Sequence, residues 1–260
     1  MDAPCTFTFI GTGTSQGVPV IACPCPVCQS TNPLDHRLRS SGWLRSAQTS
    51  LVFDTGPDFR QQMLRARVQT LDAVVFTHSH KDHVAGLDDV RAFNFLQRRD
   101  MPIYGTSETL AHLRREFYYI FEHASYPGVP RLELHEIDPD KPFRVGEYEL
   151  TPIPVWHGKM PVLGFRIGDF AYITDAKVIP AASRERLKGV KVLVLNALRQ
   201  ESHHSHLTLA EALDLAQELG VEQAWFTHIS HLMGLHAEVQ AGLPPGMNLA
   251  YDGLSLSLSG

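Results

Sequence analysis

The chain has 260 residues, 43% hydrophobic and 20% charged, with a formal net charge of −5 when histidine is neutral. That composition excludes a disordered or fibrous chain and suffices for one large core, so residues 1–260 are expected to form a single domain. The acidic balance argues against an extended nucleic-acid surface, and no apolar run reaches membrane-spanning length.

The segment Met1–Cys5 has no basic region followed by an apolar one. No signal peptide is expected, and a cytoplasmic location with reduced thiols follows as the expectation. In chain order, Phe7–Ile10 is the first expected strand, ending in a Gly11-Thr12-Gly13 turn. Residues 22–48, rich in Cys, Pro, Ser and Arg, form an expected excursion from the core. Ser50–Asp54 is the next strand, stopped by Thr55-Gly56-Pro57. Residues 58–67 suit a helix with Phe59, Met63 and Leu64 on one face. Leu71–Phe76 reads as a buried strand. Residues 85–97 and 106–120 read as helices, the second with Leu110, Leu113, Phe117 and Ile120 at helical spacing. Residues 121–145 are Pro-rich and loop-like.

Short strands are expected around 148–154, 162–167 and 170–174, and a buried strand at 192–195 ending in Asn196. Thr208–Leu219 is a helix with Thr208 as N-cap, Glu211 at capping-box distance and Gly220 as its stop. Gln223–Thr227 is a strand ending in His228, and 254–258 alternates like a last half-buried strand. Strands thus fall in two groups separated by helices. An αββα sandwich suits this better than a doubly wound parallel sheet, although periodicity alone does not yield the topology.

The run Thr77-His78-Ser79-His80-Lys81-Asp82-His83 places three imidazoles and a carboxylate within six positions, just past a strand. Strand ends are where α/β folds concentrate their chemistry. Imidazole nitrogen and carboxylate oxygen suit Zn, Mn or Fe, and the spacing suggests two ions. His157, Asp175 and His228 each follow a strand and join the same set. Asp54, Asp88 and Asp89 are candidate acceptors for the outer ring nitrogens of the ligands.

This ordered series resembles the metallo-β-lactamase superfamily over nearly the whole chain. The resemblance implies an αββα fold with two mixed sheets and a site at one edge. It implies a first ion on His78, His80 and His157, a second on Asp82, His83 and His228, and Asp175 with a hydroxide bridging them.

Cys23-Pro24-Cys25-Pro26-Val27-Cys28 places three thiols in six residues, a pattern better suited to structural zinc than to disulfides in a chain without an export signal. His231 and His36 are candidate fourth ligands. The Gly-Thr-Gly start, the Cys-x-Cys-x-x-Cys loop and Thr227-His228-Ile229-Ser230-His231 together resemble the PhnP-like phosphodiesterases, which implies His231 over His36. Cys5 is expected to be a buried core thiol.

His203, His204 and His206 form a third cluster before the helix at Thr208. The resemblance implies that His206 protonates the leaving oxygen or stabilises phosphoryl oxygens; a cationic His206 and Arg199 would both suit phosphate. His203 and His204 read as solvated loop. Asp82 is expected to orient the nucleophile as well as bind metal. Arg91, Asn94, Tyr118 and Tyr119 are weighed as substrate contacts, with helix packing as the plainer role.

The expected activity is therefore hydrolysis of a small, cyclic-type phosphodiester by two divalent ions, Zn, Mn or Fe. A thioester or lactone hydrolase shares the ligands but has no need of His206. A true β-lactamase would be exported, and a tRNA-processing endonuclease carries a basic arm that is not evident here. A di-iron redox protein would place Glu at position 80 and add a flavin domain. A non-catalytic metal-binding protein would not need the whole ligand set. No membrane partner is expected, and a homodimer is left open.

Overall fold

Side chains alternate across a strand, so a strand that is apolar on both faces must be covered on both. The computed structural model, which describes residues 5–122 and 128–258, meets this with two stacked sheets clad in helices. In chain order the elements are β1 (Cys5–Gly11), β2 (Ser41–Arg45), β3 (Ser50–Phe53), α1 (Phe59–Ala66), β4 (Ala73–Val75), α2 (Lys81–Val84), α3 (Arg91–Gln97), β5 (Met101–Gly105), α4 (Ser107–Glu116), α5 (Tyr118–Glu122), β6 (Leu132–Glu136) and β7 (Phe143–Val145). There follow β8 (Tyr148–His157), β9 (Met160–Ile167), β10 (Phe170–Ile173), α6 (Ala181–Leu187), β11 (Val192–Asn196), α7 (Leu209–Leu219), β12 (Gln223–Thr227), α8 (His236–Ala241), β13 (Met247–Leu249) and β14 (Ser255–Leu258).

The first sheet runs β14-β1-β2-β3-β4-β5-β6 and the second β13-β12-β11-β10-β9-β8-β7. Each is mixed. In the first sheet β3 to β6 pair in parallel and β1, β2 and β14 antiparallel. In the second β10 to β13 are parallel and β7 to β9 antiparallel to their neighbours. Ala73 and Val75 of β4 face the inter-sheet core, while Val74 faces the helical layer. On β11 the same division puts Val194 between the sheets and Leu193 and Leu195 under the helices. The αββα sandwich follows from this two-sided burial.

The inter-sheet core is aromatic. Phe53 stacks on Phe165 and Tyr172, with centroids 5.6 and 5.0 Å away, and Phe7 meets Phe9 edge-on at 5.0 Å. Such pairs prefer offset or edge contact, because the ring face is negative and the edge positive.

Several elements differ from the sequence expectation. β2 lies within the 22–48 excursion and sits between β1 and β3; its apolar run, Trp43-Leu44, is too short to announce a strand. The 121–145 stretch contains β6 and β7, while residues 123–127 lie outside the described residues. The 85–97 helix is broken: α2 starts at Lys81, a 3-10 turn spans Leu87–Val90, and α3 begins at Arg91. The 106–120 helix divides at Phe117 into α4 and α5. On α1, Phe59, Gln62 and Met63 are buried and Leu64 is 62% exposed. Five residues past Phe59, Leu64 has rotated about 140° off the buried stripe.

Phe53→Ala removes the ring that both neighbouring aromatics stack on. It should cost about 3–5 kcal/mol in denaturant unfolding, with the slope of the transition unchanged.

Candidate metal centre and active site

Five chain segments converge at one edge of the sandwich. β4 leads through Thr77 into His78 and His80, and α2 carries Asp82 and His83. β8 ends on His157, Asp175 follows β10, and His228 follows β12. His206 lies two residues before Thr208, whose side chain completes a capping box with Glu211 at the start of α7.

The hydrogen bonds around the imidazoles decide which nitrogen faces inward. Asp54 Oδ2 lies 2.8 Å from His83 Nδ1, so that nitrogen carries the proton. Thr77 Oγ1 donates to the same Asp54 oxygen at 2.8 Å; its lone pair then accepts from His78 Nδ1 at 2.9 Å. His157 Nδ1 donates to the Ser205 carbonyl at 2.9 Å. Ser40 Oγ gives its proton to the Gly13 carbonyl and accepts from His228 Nδ1 at 3.2 Å. All four rings therefore turn an Nε2 lone pair away from these anchors. An outer-nitrogen acceptor of this kind fixes both tautomer and orientation.

These inward atoms form an electron-rich cluster. His83 Nε2 lies 3.3 Å from both Asp82 Oδ2 and Asp175 Oδ2, and His228 Nε2 lies 3.3 Å from Asp175 Oδ1. His78 Nε2 and His83 Nε2 are buried without a hydrogen-bond partner. Against the opposing effect of burial, Asp175, Asp82 and Asp54 hold the His83 imidazole well above its usual pKa. Burial opposes ionisation of Asp175 as well, yet His228, His83 and His78 keep it well below the carboxylate range. The cluster demands positive charge at its centre, and this donor set fits divalent cations.

Donor atoms of His78, His83 and Asp175 lie within 4.8 Å of one another, as do those of Asp82, His83 and His228. The His80 ring is 4.7 Å from His78 and 5.1 Å from His157. Six of the seven expected residues thus enter these donor groups or the one His157 and Asp175 share with His206, whereas His80 comes in by ring contact alone and the expected set of His78, His80 and His157 is not itself one of the groups. His206 joins them: its Nδ1 is buried, unpartnered and 3.8 Å from Asp175 Oδ1, and it groups with His157 and Asp175. Burial pushes its pKa down to about 2, so His206 is a neutral imidazole rather than the expected cation.

The backbone is bent to deliver these groups. Asp54, Asp175 and His228 have φ of 64, 59 and 56°, a region costly for side-chain-bearing residues and typical of functional sites. Asn196 holds the bend after Asp175 by bonding both the N–H and the carbonyl of Ala176, at 2.7 and 2.9 Å. Gly56 and Gly86 let the end of β3 pass against α2: a Cβ on Gly56 would stand 2.2 Å from the Asp82 carbonyl, and one on Gly86 2.2 Å from the Gly56 carbonyl. No local pattern marks Thr77, Ser40, Ser205 or Asn196, whose roles depend on which carbonyl or ring lies nearby.

Of the three candidate outer acceptors, Asp54 alone reaches a ring. Asp88 instead accepts from the Tyr119 hydroxyl at 2.5 Å and pairs with Arg91 at 3.1 Å. Asp89 lies in the 3-10 turn, its N–H bonded to the Gly86 carbonyl. Asn94 is buried and bonds the backbone of Arg99 and Arg131, so it is a packing residue. Tyr118 is exposed on α5. Arg199 turns Nε and Nη2 onto the carbonyls of Glu201 and Ser202.

Comparison with known proteins gives the same frame. Residues 49–229 match the model of the β-lactamase superfamily domain. A solved diphosphatase from the PhnP family is 39% identical, with 98% of both chains covered and a TM-score of 0.92. The chain belongs to the metallo-β-lactamase superfamily, and within it to the PhnP family. An octanoyltransferase of Porphyromonas gingivalis (strain ATCC BAA-308 / W83) is 40% identical over 248 residues, covering 95% of this chain. The chain spans only 50% of that relative's length. A ribonuclease Z of Mycobacterium sp. (strain KMS) is 24% identical over 85% of this chain and 82% of its own. Members of the superfamily are metal-dependent hydrolases. Among the described residues no helix is long and apolar enough to cross a membrane.

The PhnP-family chain has a second donor cluster beside the first. His231 Nδ1 lies 3.4 Å from Cys23 Sγ and 3.3 Å from Cys25 Sγ, and Cys28 completes a group within 4.8 Å. Tetrahedral Zn with ordinary Zn–S and Zn–N bonds places its ligands about 3.6 Å apart, so the set fits zinc. The His231 contact, then the Cys28 N–H, lower the Cys25 thiol to about 6, whereas burial raises Cys28 to about 11. His36 is remote from the sulfurs, its Nε2 on the Ser30 carbonyl. Cys5 is buried in the inter-sheet core, its thiol donating to the Tyr148 hydroxyl.

Asp54→Asn should weaken divalent-metal binding at the His/Asp cluster by about 10–100-fold in chelator-competition titrations, because His83 loses its carboxylate partner. An unchanged affinity would refute the orienting role. Cys25→Ser should lower the zinc content and the melting temperature together.

Proposed function

We propose that this chain hydrolyses a small phosphodiester with the help of two divalent cations. His78, His80 and His157 would hold one, Asp82, His83 and His228 the other, and Asp175 would serve both; Cys23, Cys25, Cys28 and His231 would hold a structural zinc. With N and O donors the catalytic pair can be Zn, Mn or Fe. Such a pair supplies the charge that makes water acidic near neutral pH and offsets the charge of phosphate oxygens.

One observation carries the reaction type. His206 adds an imidazole beyond the seven donors needed for two ions, at the inner wall beside His157 and His228, 4.4 and 4.8 Å between ring centroids. A neutral imidazole there can give a hydrogen bond to a phosphoryl or leaving oxygen, which a thioester or lactone hydrolase has no evident need of. Asp82 stays ionised, since His83 outweighs the opposing effect of burial, and its carboxylate can accept a hydrogen bond from the attacking water and orient it. The 39% identity to a PhnP-family diphosphatase supports phosphorus as the electrophile. The net charge of −5 favours a small substrate over extended nucleic acid.

The test is hydrolysis of bis(p-nitrophenyl) phosphate after reconstitution with Mn or Zn. Wild type should turn over only with metal, and His206→Ala should lose about 100-fold or more in kcat with the same metal content. No turnover in wild type holding both catalytic ions would shift the assignment to thioester or lactone hydrolysis.

A further inference from the structure

His203 lies part-buried in the loop before α7 and is tied to that loop by its own side chain. Its Nδ1 lies 3.3 Å from the Ser205 N–H and 3.2 Å from the Ser205 hydroxyl. A backbone N–H can only donate, so Nδ1 is an acceptor and the neutral ring carries its proton on Nε2. Burial, then the neighbouring His204 and Arg199, keep the ring below the usual imidazole range and favour that neutral form. Nε2 lies across the ring from the Ser205 anchor, and among the described residues no protein group bonds to it.

The ring adjoins the imidazoles of the cluster. It lies 5.2 Å from His206 at an interplanar angle of 32°, and His206 continues at 4.8 Å and 25° to His228. His203 is therefore the next ring outward from His206 in a column that ends on the exposed His204, 4.3 Å away at 37°. The loop beneath it is tied down by hydrogen bonds. Ser205 also accepts the His157 Nδ1 proton on its carbonyl, Leu207 N–H bonds the Ala176 carbonyl, and Leu198 N–H bonds the Leu207 carbonyl. Arg199, the charged candidate for this wall, spends Nε and Nη2 holding the same loop together. A donor whose tautomer and loop are fixed in advance loses little freedom on binding.

The geometry points to His203 as a phosphate-binding residue, its Nε2–H donating to a substrate phosphate oxygen on the outer side of His206. This deepens the phosphodiesterase assignment above and rests on it for the identity of the anion.

Metal-reconstituted wild type, His203→Phe and His203→Gln would be compared in two measurements: bis(p-nitrophenyl) phosphate kinetics and calorimetric titration with inorganic phosphate. Phe keeps the ring without the donor, and Gln restores an N–H at similar reach. His203→Phe should weaken phosphate binding and raise KM by roughly tenfold, a larger effect than its loss in kcat, with metal content unchanged. His203→Gln should recover most of that loss. Phosphate affinity in His203→Phe equal to wild type, or a fall in kcat alone, would overturn the assignment and leave His203 a loop-positioning residue. Absent diester turnover in wild type would sink the phosphodiesterase reading instead, while the phosphate titration would still decide His203.

Discussion

The site depends on one buried carboxylate. Asp54 is wholly inaccessible to solvent and accepts from the Thr77 N–H, the Thr77 hydroxyl and His83 Nδ1, each at 2.8 Å. Burial raises its pKa, and the bonds to His83 and Thr77 oppose that rise. A carboxylate so far from water is tolerable only when its lone pairs are used. Here they orient His83 directly and His78 through Thr77. The ligand loop after β4 is thus held to the end of β3 before any ion contributes.

The second donor cluster shares its supports with the first. Thr14 N–H bonds the Ile229 carbonyl and Ile229 N–H bonds the Thr12 carbonyl, on either side of the turn carrying Ser230 and His231. Ser40, near the end of the Cys-rich excursion, anchors His228. A zinc that fixes Cys23, Cys25, Cys28 and His231 would therefore stiffen the loops that aim His228. Stability and catalysis meet there through backbone hydrogen bonds, without direct contact between the two clusters being required.

Much of the candidate site was legible because its residue types are costly to place elsewhere. Three imidazoles and a carboxylate in six positions after an apolar strand, and three thiols in six residues, are poor packing material. His157, Asp175 and His228 stood out by following strands. The outer partners were not legible. Serine, threonine and asparagine occur throughout the chain, and only the fold shows that Ser40, Thr77, Ser205 and Asn196 meet particular rings or carbonyls. The tautomer of His203 is illegible for the same reason, since a neighbour's N–H sets it.

By itself the sequence determined the donor types: an acidic chain with an ordered set of imidazole and carboxylate groups, a separate cysteine set, and strands enough for two sheets. Ligand chemistry is a property of residue type and short spacing, both local. Tertiary structure alone decided that β2 inserts between β1 and β3, that β6 and β7 extend the two sheet edges, and that His206 enters the cluster as a neutral ring. Those outcomes depend on burial and on partners distant in the chain, as Asp54 and His83 are at a sequence separation of 29. Local periodicity carries no record of such pairings.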